Sequence, residues 1–134
     1  NDAYNANLDS MKSSLVALTE IPSPGRKIAL LGSMGELGKQ AVEMHRQVGA
    51  FAAASGVDRL VAMGPHAVDY ENGAIDAGMN KVDVCIVEGL DSAIEKLEEV
   101  FNTDGDCLLA KGSRFMRLEV IVEHLMKSVT EGTS

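Results

Sequence analysis

The segment KIALLGSMGELGKQAVEMHRQVGAF, residues 27–51, decides the fold. It opens with the apolar run Ile-Ala-Leu-Leu behind Lys27, too short for a helix and apolar enough for a strand covered on both faces. Gly32 to Gly38 interrupts the run. Leu37, Ala41, Met44, Val48 and Phe51 then recur at steps of three and four, which predicts an amphipathic helix. The unit is strand, turn, helix.

That unit recurs along the chain. A strand over Arg59 to Met63 precedes a turn at Gly64-Pro65 and a helix near 66–77. A strand over Val82 to Val87 precedes a turn at Glu88-Gly89 and a helix near 91–102. Cys107 to Ala110 forms a fourth strand, followed by a turn at Lys111-Gly112 and a last helix with Leu118, Ile121, Val122 and Leu125 on its apolar face. Upstream, Leu8, Met11, Leu15 and Leu18 predict a helix over residues 9–20, capped by Asp9 or Ser10 and stopped by Pro22-Ser-Pro-Gly25. Residues 130–134 are expected to fray. Strands separated by one helix each require crossover connections, hence a parallel sheet. The expected fold is α/β, a Rossmann-like three-layer sandwich with a mostly parallel sheet and helices on both faces. Residues 1–134 form a single domain.

Composition agrees with that class. The chain has 134 residues, enough for one core, and its hydrophobic share of 46% contains only 4% aromatics and no Trp. A formal net charge of −8 argues against a nucleic-acid partner, since no basic stripe exists to meet a phosphate backbone. No apolar run approaches the roughly 20 residues that span a bilayer, and no leader pattern is present, so no membrane partner and a cytoplasmic location are expected. Cys85 and Cys107 lie in strand-like runs without a C-x-x-C neighbour, which predicts small, buried, free thiols. The chain starts without Met inside a polar motif, and is read as a piece of a longer protein.

In a parallel sheet, ligands bind beyond the carboxyl ends of the strands. Four turns converge there: Gly32 to Gly38, Gly64-Pro65, Glu88-Gly89 and Lys111 to Arg114. The first has the spacing G-x-x-G-x-x-G, where a dinucleotide fingerprint needs G-x-G-x-x-G, and the next strand ends in Gly-Pro without the ribose-binding acid. No G-x-x-x-x-G-K-[ST] loop occurs, so this chain does not hold nucleotide phosphates in that way. His45, His66 and His124 lack Cys or acidic partners at ligand spacing, which argues against a metal site; His45 falls near the buried face of its helix and reads as a hydrogen-bonded structural imidazole. Lys111-Gly-Ser-Arg114 places two cations and a hydroxyl where a strand meets a helix start, a setting that suits a carboxylate or phosphate. The same residues are also compatible with Ser113 as a simple helix cap and Arg114 as a solvated side chain.

The amino-terminal stretch NDAYNANLDSM, residues 1–11, is dense in polar side chains around one aromatic. Such a stretch suits a loop facing a ligand, and equally a terminus that ends in a helix cap.

Three segments together resemble the carboxy-terminal domain of the Mur ligases: NDAYNANLDSM at 1–11, ALLGSMGELG at 29–38 with His45 and Val48-Gly49 after it, and AKGSRFMRLE at 110–119. The resemblance spans essentially the whole chain and is nearest to the branch that joins D-alanyl-D-alanine to a UDP-muramoyl tripeptide. Leu8 stands where that family usually has proline, and Ser33 where it often has aspartate, which removes a carboxylate beside the site. The resemblance implies an ADP-forming amide ligase of peptidoglycan-precursor synthesis. Its amino-terminal domain would hold the UDP-sugar and its central domain ATP and Mg2+, while this domain binds the incoming dipeptide and closes over them. It further implies that Asp2 approaches the ATP ribose, and that Tyr4, Asn5 and Asn7 line the cleft beside the acceptor. Ser113 and Arg114, with Lys111 in support, are candidate clamps for the dipeptide carboxylate. No catalytic residue is expected in this chain, and the isolated domain should be inactive. The other readings of the same residues are a free-standing Rossmann-like module for a small anion or nucleotide, and the corresponding domain of another amino-acid ligase.

Overall fold

The computed structural model of the chain describes residues 7–113. Helix α1 (Leu8–Glu20) leads into strand β1 (Lys27–Leu31), then α2 (Ala41–Ser55), β2 (Arg59–Met63), α3 (Ala67–Asp76), β3 (Val84–Val87), α4 (Leu90–Val100) and β4 (Cys107–Lys111). Short 3-10 turns at Gly38–Gln40 and Lys81–Asp83 precede α2 and β3. The expected last helix and the tail at 130–134 lie outside the described residues.

The four strands form one sheet in the order β3-β2-β1-β4, with every neighbouring pair parallel. All five residues of β1 are buried, as a central strand covered on both faces demands. Alternation divides them between two cores. Ala29 and Leu31 join Met11, Leu15 and Leu18 of α1 and the buried faces of α2 and α3. Ile28 and Leu30 join Val61, Met63 and Val87, together with Ala93, Leu97 and Val100 of α4. The three-layer sandwich read from the sequence is therefore present, with α1, α2 and α3 on one face and α4 on the other.

The chain runs outward from β1 to β2 and β3, then returns through α4 to add β4 on the other side of β1. Strand order reverses between β1 and β4, so the crevice at their carboxyl ends is the topological switch point of the sheet. The amino ends are closed instead. Asp58 Oδ2 accepts the Lys27 N–H at 2.7 Å, and Asp106 accepts the backbone N–H groups of Arg26 and Asn102 at 2.7 and 2.8 Å.

Three local expectations change. The cap of α1 is Asn7, whose side chain accepts the Ser10 N–H at 2.9 Å while the Ser10 hydroxyl accepts the Asn7 N–H at 3.0 Å. Asp9 and Ser10 lie inside the first turn, and this reciprocal box starts the helix one residue earlier. Strand β3 begins at Val84, because Asn80 caps a 3-10 turn over Lys81–Asp83 through the Val82 N–H. Cys85 and Cys107 are free, as expected, but half-buried, since both stand on the outermost strands of the described sheet.

Candidate functional site

The switch point is built from two turns in backbone contact. After β1 the chain enters Gly32, whose N–H donates to Lys111 O at 2.8 Å; after β4, the Ser113 N–H donates to Ser33 O at 2.8 Å. These bonds continue the β1–β4 ladder two residues past its end. They require close approach: a Cβ at position 112 would lie 2.8 Å from the Gly32 Cα. Glycine at position 112 lets the turns meet.

Ser33 and Ser113 are thereby brought together. Both are buried, at 4% and 3% exposure, and neither hydroxyl has a hydrogen-bond partner among the described residues. Leaving a buried polar group unpaired costs about 1–3 kcal/mol, so two such groups on adjacent strand ends are conspicuous. Lys111, half-buried at the end of β4, adds a cation to the same edge. Hydroxyl and ammonium groups on one strand end are the donor types that suit a carboxylate or another small oxyanion. Sequence reading placed Ser113 and Lys111 here. It treated Ser33 only as a lost carboxylate, whereas burial and the missing partner make its hydroxyl part of the site.

Beneath the first turn lies a cluster that sequence reading resolved only in part. His45, fully buried on α2, is hydrogen-bonded as expected: its Nε2 accepts the Met34 N–H at 2.9 Å, and its Nδ1 lies 2.6 Å from Ala41 O. The Tyr70 hydroxyl, from α3, donates to Gly32 O at 2.7 Å. The His66 ring stacks on His45 with centroids 4.2 Å apart, and its Nδ1 meets Asp69 Oδ2 at 2.8 Å. Burial is the main influence on His45, holding its pKa below the ordinary 6.5 against the opposing Ala41 carbonyl; burial likewise pushes the Tyr70 hydroxyl far up. Tyr70 and His66 were missed because neither belongs to a motif. Their only signal is position, at or just after the turn that follows β2.

Of the remaining predicted residues, Asn7 is placed at the start of α1 with its side-chain oxygen engaged in the cap. Asp2, Tyr4, Asn5 and Arg114 lie outside the described residues. A hollow of about 350 Å³ opens along β3 and α4, but Glu88, Glu95 and Glu99 line it with Lys96 as the one cation among its lining residues, a poor setting for an anion. Among the described residues, no three His, Cys, Asp or Glu side chains converge on a metal position, and no helix is long and apolar enough to cross a membrane.

Comparison with known proteins gives a consistent result. Residues 1–114 match the family model described as Mur ligase, glutamate ligase domain. The chain is 31% identical over 131 residues to the UDP-N-acetylmuramoyl-tripeptide--D-alanyl-D-alanine ligase of Escherichia coli (strain K12), covering 96% of this chain and 27% of that protein. Identity to the ligase of the same name from Treponema pallidum (strain Nichols) is 36% over 126 residues, covering 94% of this chain and 27% of the relative. A crystal structure of MurF from Acinetobacter baumannii superposes with a TM-score of 0.80 at 27% identity, over 92% of this chain and 27% of that one. The chain thus spans 27% of the length of each of these curated relatives.

Proposed function

The chain belongs to the Mur ligase, glutamate ligase domain family, and from that premise we propose that it is the acceptor-binding domain of an ATP-dependent ligase adding D-alanyl-D-alanine to a UDP-muramoyl tripeptide. The names of the relatives supply the substrate class. One structural observation supports assigning the acceptor to this domain: the buried hydroxyls of Ser33 and Ser113, which have no hydrogen-bond partner among the described residues, at the strand end that carries Lys111. A dipeptide zwitterion must have its carboxylate held while its amine stays free to attack. Hydroxyl and ammonium donors at the switch point meet the first demand without touching the amine.

In this reading, Ser33 and Ser113 donate to the carboxylate while Lys111 and Arg114 neutralise it. Tyr4, Asn5 and Asn7 border the cleft, and Asp2 faces the ATP ribose at the junction with the central domain. Asn7 keeps its side-chain oxygen in the helix cap, which leaves its amide N–H groups for the acceptor. ATP, when bound, supplies the phosphoryl group that activates the tripeptide carboxylate. ATP and Mg2+ are assigned, by the resemblance to the Mur ligases, to the central domain of the full-length protein. This domain binds and orients the dipeptide, and its closure excludes water from the reacting carboxyl group. The isolated chain is expected to be inactive, and the full-length enzyme to work in the cytoplasm.

The test is calorimetric titration of the full-length protein with D-alanyl-D-alanine, with and without nucleotide. Saturable binding that Ser33→Ala and Ser113→Ala each weaken supports the reading. Binding of the dipeptide that ignores both substitutions would refute it, as would ATP-dependent amide formation by the isolated chain.

A further inference from the structure

His45 is a titratable ring buried in the core, and the carboxylate subsite as described does not use it. Its hydrogen bonds fix its state. The Met34 N–H can only donate, so His45 Nε2 carries the lone pair, and the proton sits on Nδ1 facing Ala41 O. A ring protonated on both nitrogens would set one N–H against another at Met34.

The turn it grips is the one that carries Ser33. Gly32 is anchored by its N–H on Lys111 O and by its carbonyl under the Tyr70 hydroxyl, and Met34 is anchored by His45. Ser33 lies between these two anchors with its own carbonyl accepting the Ser113 N–H. Releasing Met34 frees one side of Ser33, and a displacement of about 1 Å is enough to spoil a positioned contact.

The groups around the ring come from four elements. His66, in the turn after β2, stacks on it; Tyr70 of α3 meets it edge-on at 4.9 Å; Asp69 stands behind His66. Its own helix contributes the Ala41 carbonyl, and the glycine turn contributes the Met34 amide.

We propose that His45 is a positioning residue, which holds the Ser33 hydroxyl in register with Ser113 through the Met34 amide and makes the carboxylate subsite dependent on a neutral ring. This rests on reading the switch point as the acceptor's carboxylate subsite. Burial keeps the ring neutral at ordinary pH, and acid strong enough to protonate it releases the turn.

The experiment uses the full-length protein with His45→Phe, which keeps a flat ring without an acceptor, and His45→Gln, which restores an acceptor oxygen. Exchange of the Met34 amide is followed by hydrogen–deuterium mass spectrometry, and affinities for D-alanyl-D-alanine and ATP are titrated separately. His45→Phe should speed Met34 exchange and weaken dipeptide binding by on the order of tenfold, with ATP affinity unchanged. His45→Gln should recover both, and should remove the acid-side loss of dipeptide affinity that the native protein shows. His45→Phe with native exchange and native dipeptide affinity overturns the inference. If His45→Phe does not fold, His45→Gln decides: the same acid-side loss in that variant as in the native protein overturns it. A native protein that binds no dipeptide at any pH refutes the ligase reading instead. In that case Met34 protection alone decides the role of His45, supporting it if protection is lost as the ring titrates and overturning it if protection persists.

Discussion

Gly112 packs against Gly32 so closely that a Cβ at position 112 would stand 2.8 Å from the Gly32 Cα and 3.1 Å from its carbonyl carbon. This backbone contact, more than any side chain, joins the turns after β1 and β4 and sets Ser33 beside Ser113. Gly112→Ala should therefore push the strand ends apart. A loss of about 1–3 kcal/mol in stability is expected, the usual range for overpacking, together with weaker dipeptide binding at unchanged ATP affinity. Urea denaturation and titration of the full-length protein measure the two effects separately.

The crossing of α2 and α3 makes a sharper demand. A Cβ on Gly49 would lie 2.0 Å from Tyr70 O, and one on Gly73 would lie 1.9 Å from Arg46 O. Each would-be methyl meets backbone, which cannot rotate aside. Gly49→Ala should cost about 3 kcal/mol or more, and it should also loosen the Tyr70 bond to Gly32, since Tyr70 rides on the displaced helix. A midpoint shift in denaturant with an unchanged slope would measure the first effect.

Asn7 links the amino-terminal motif to the scaffold. Removing its cap with Asn7→Ala should lower stability by about 1 kcal/mol, while Asn7→Ser should retain most of it. Thermal unfolding of the chain checks the difference, and an Asn7→Ala midpoint equal to the native one would mean that the capping box contributes nothing.

Two groups give the fold a pH dependence of known sign. His45 has a folded-state pKa below 6.5, so the unfolded chain binds a proton that the folded chain refuses; this contribution is complete above about pH 6.5 and is lost as pH falls below it. Asp106 is pushed up by burial, but the N–H groups of Arg26 and Asn102 and the Arg26 guanidinium outweigh that and hold it below 3.8. Its contribution is present above that value and lost as pH falls through the folded pKa. Melting temperature against pH should accordingly fall in two stages in the native chain, and His45→Gln should remove the stage nearer neutrality.

Much of the architecture was legible because period and punctuation agreed. The runs at 27–31 and 59–63 are strands over the same residues, and the Pro22 to Gly25 stop ends α1 where expected. The cap of α1 was misplaced because three of four successive residues, Asn7, Asp9 and Ser10, are able caps, and only geometry shows that Asn7 and Ser10 cap one another. The thiols were misjudged because an apolar run does not reveal which strands are outermost. At the switch point, Lys111 and Ser113 were legible as a cation and a hydroxyl near the end of a strand. The burial of Ser33 was not, because a hydroxyl without a partner among the described residues is a property of packing. His66 and Tyr70 were equally silent: they converge on the glycine turn only once β1 and β2 lie side by side.

We propose that the crevice between β1 and β4 holds the acceptor carboxylate, and the decisive measurement is the Michaelis constant of Ser113→Ala in the full-length enzyme. Loss of one hydrogen bond to a charged group is worth roughly 1.5–3 kcal/mol, so the KM for D-alanyl-D-alanine should rise by at least about tenfold while the KM for ATP stays the same. An unchanged dipeptide KM, in a variant that folds and binds ATP normally, would contradict it.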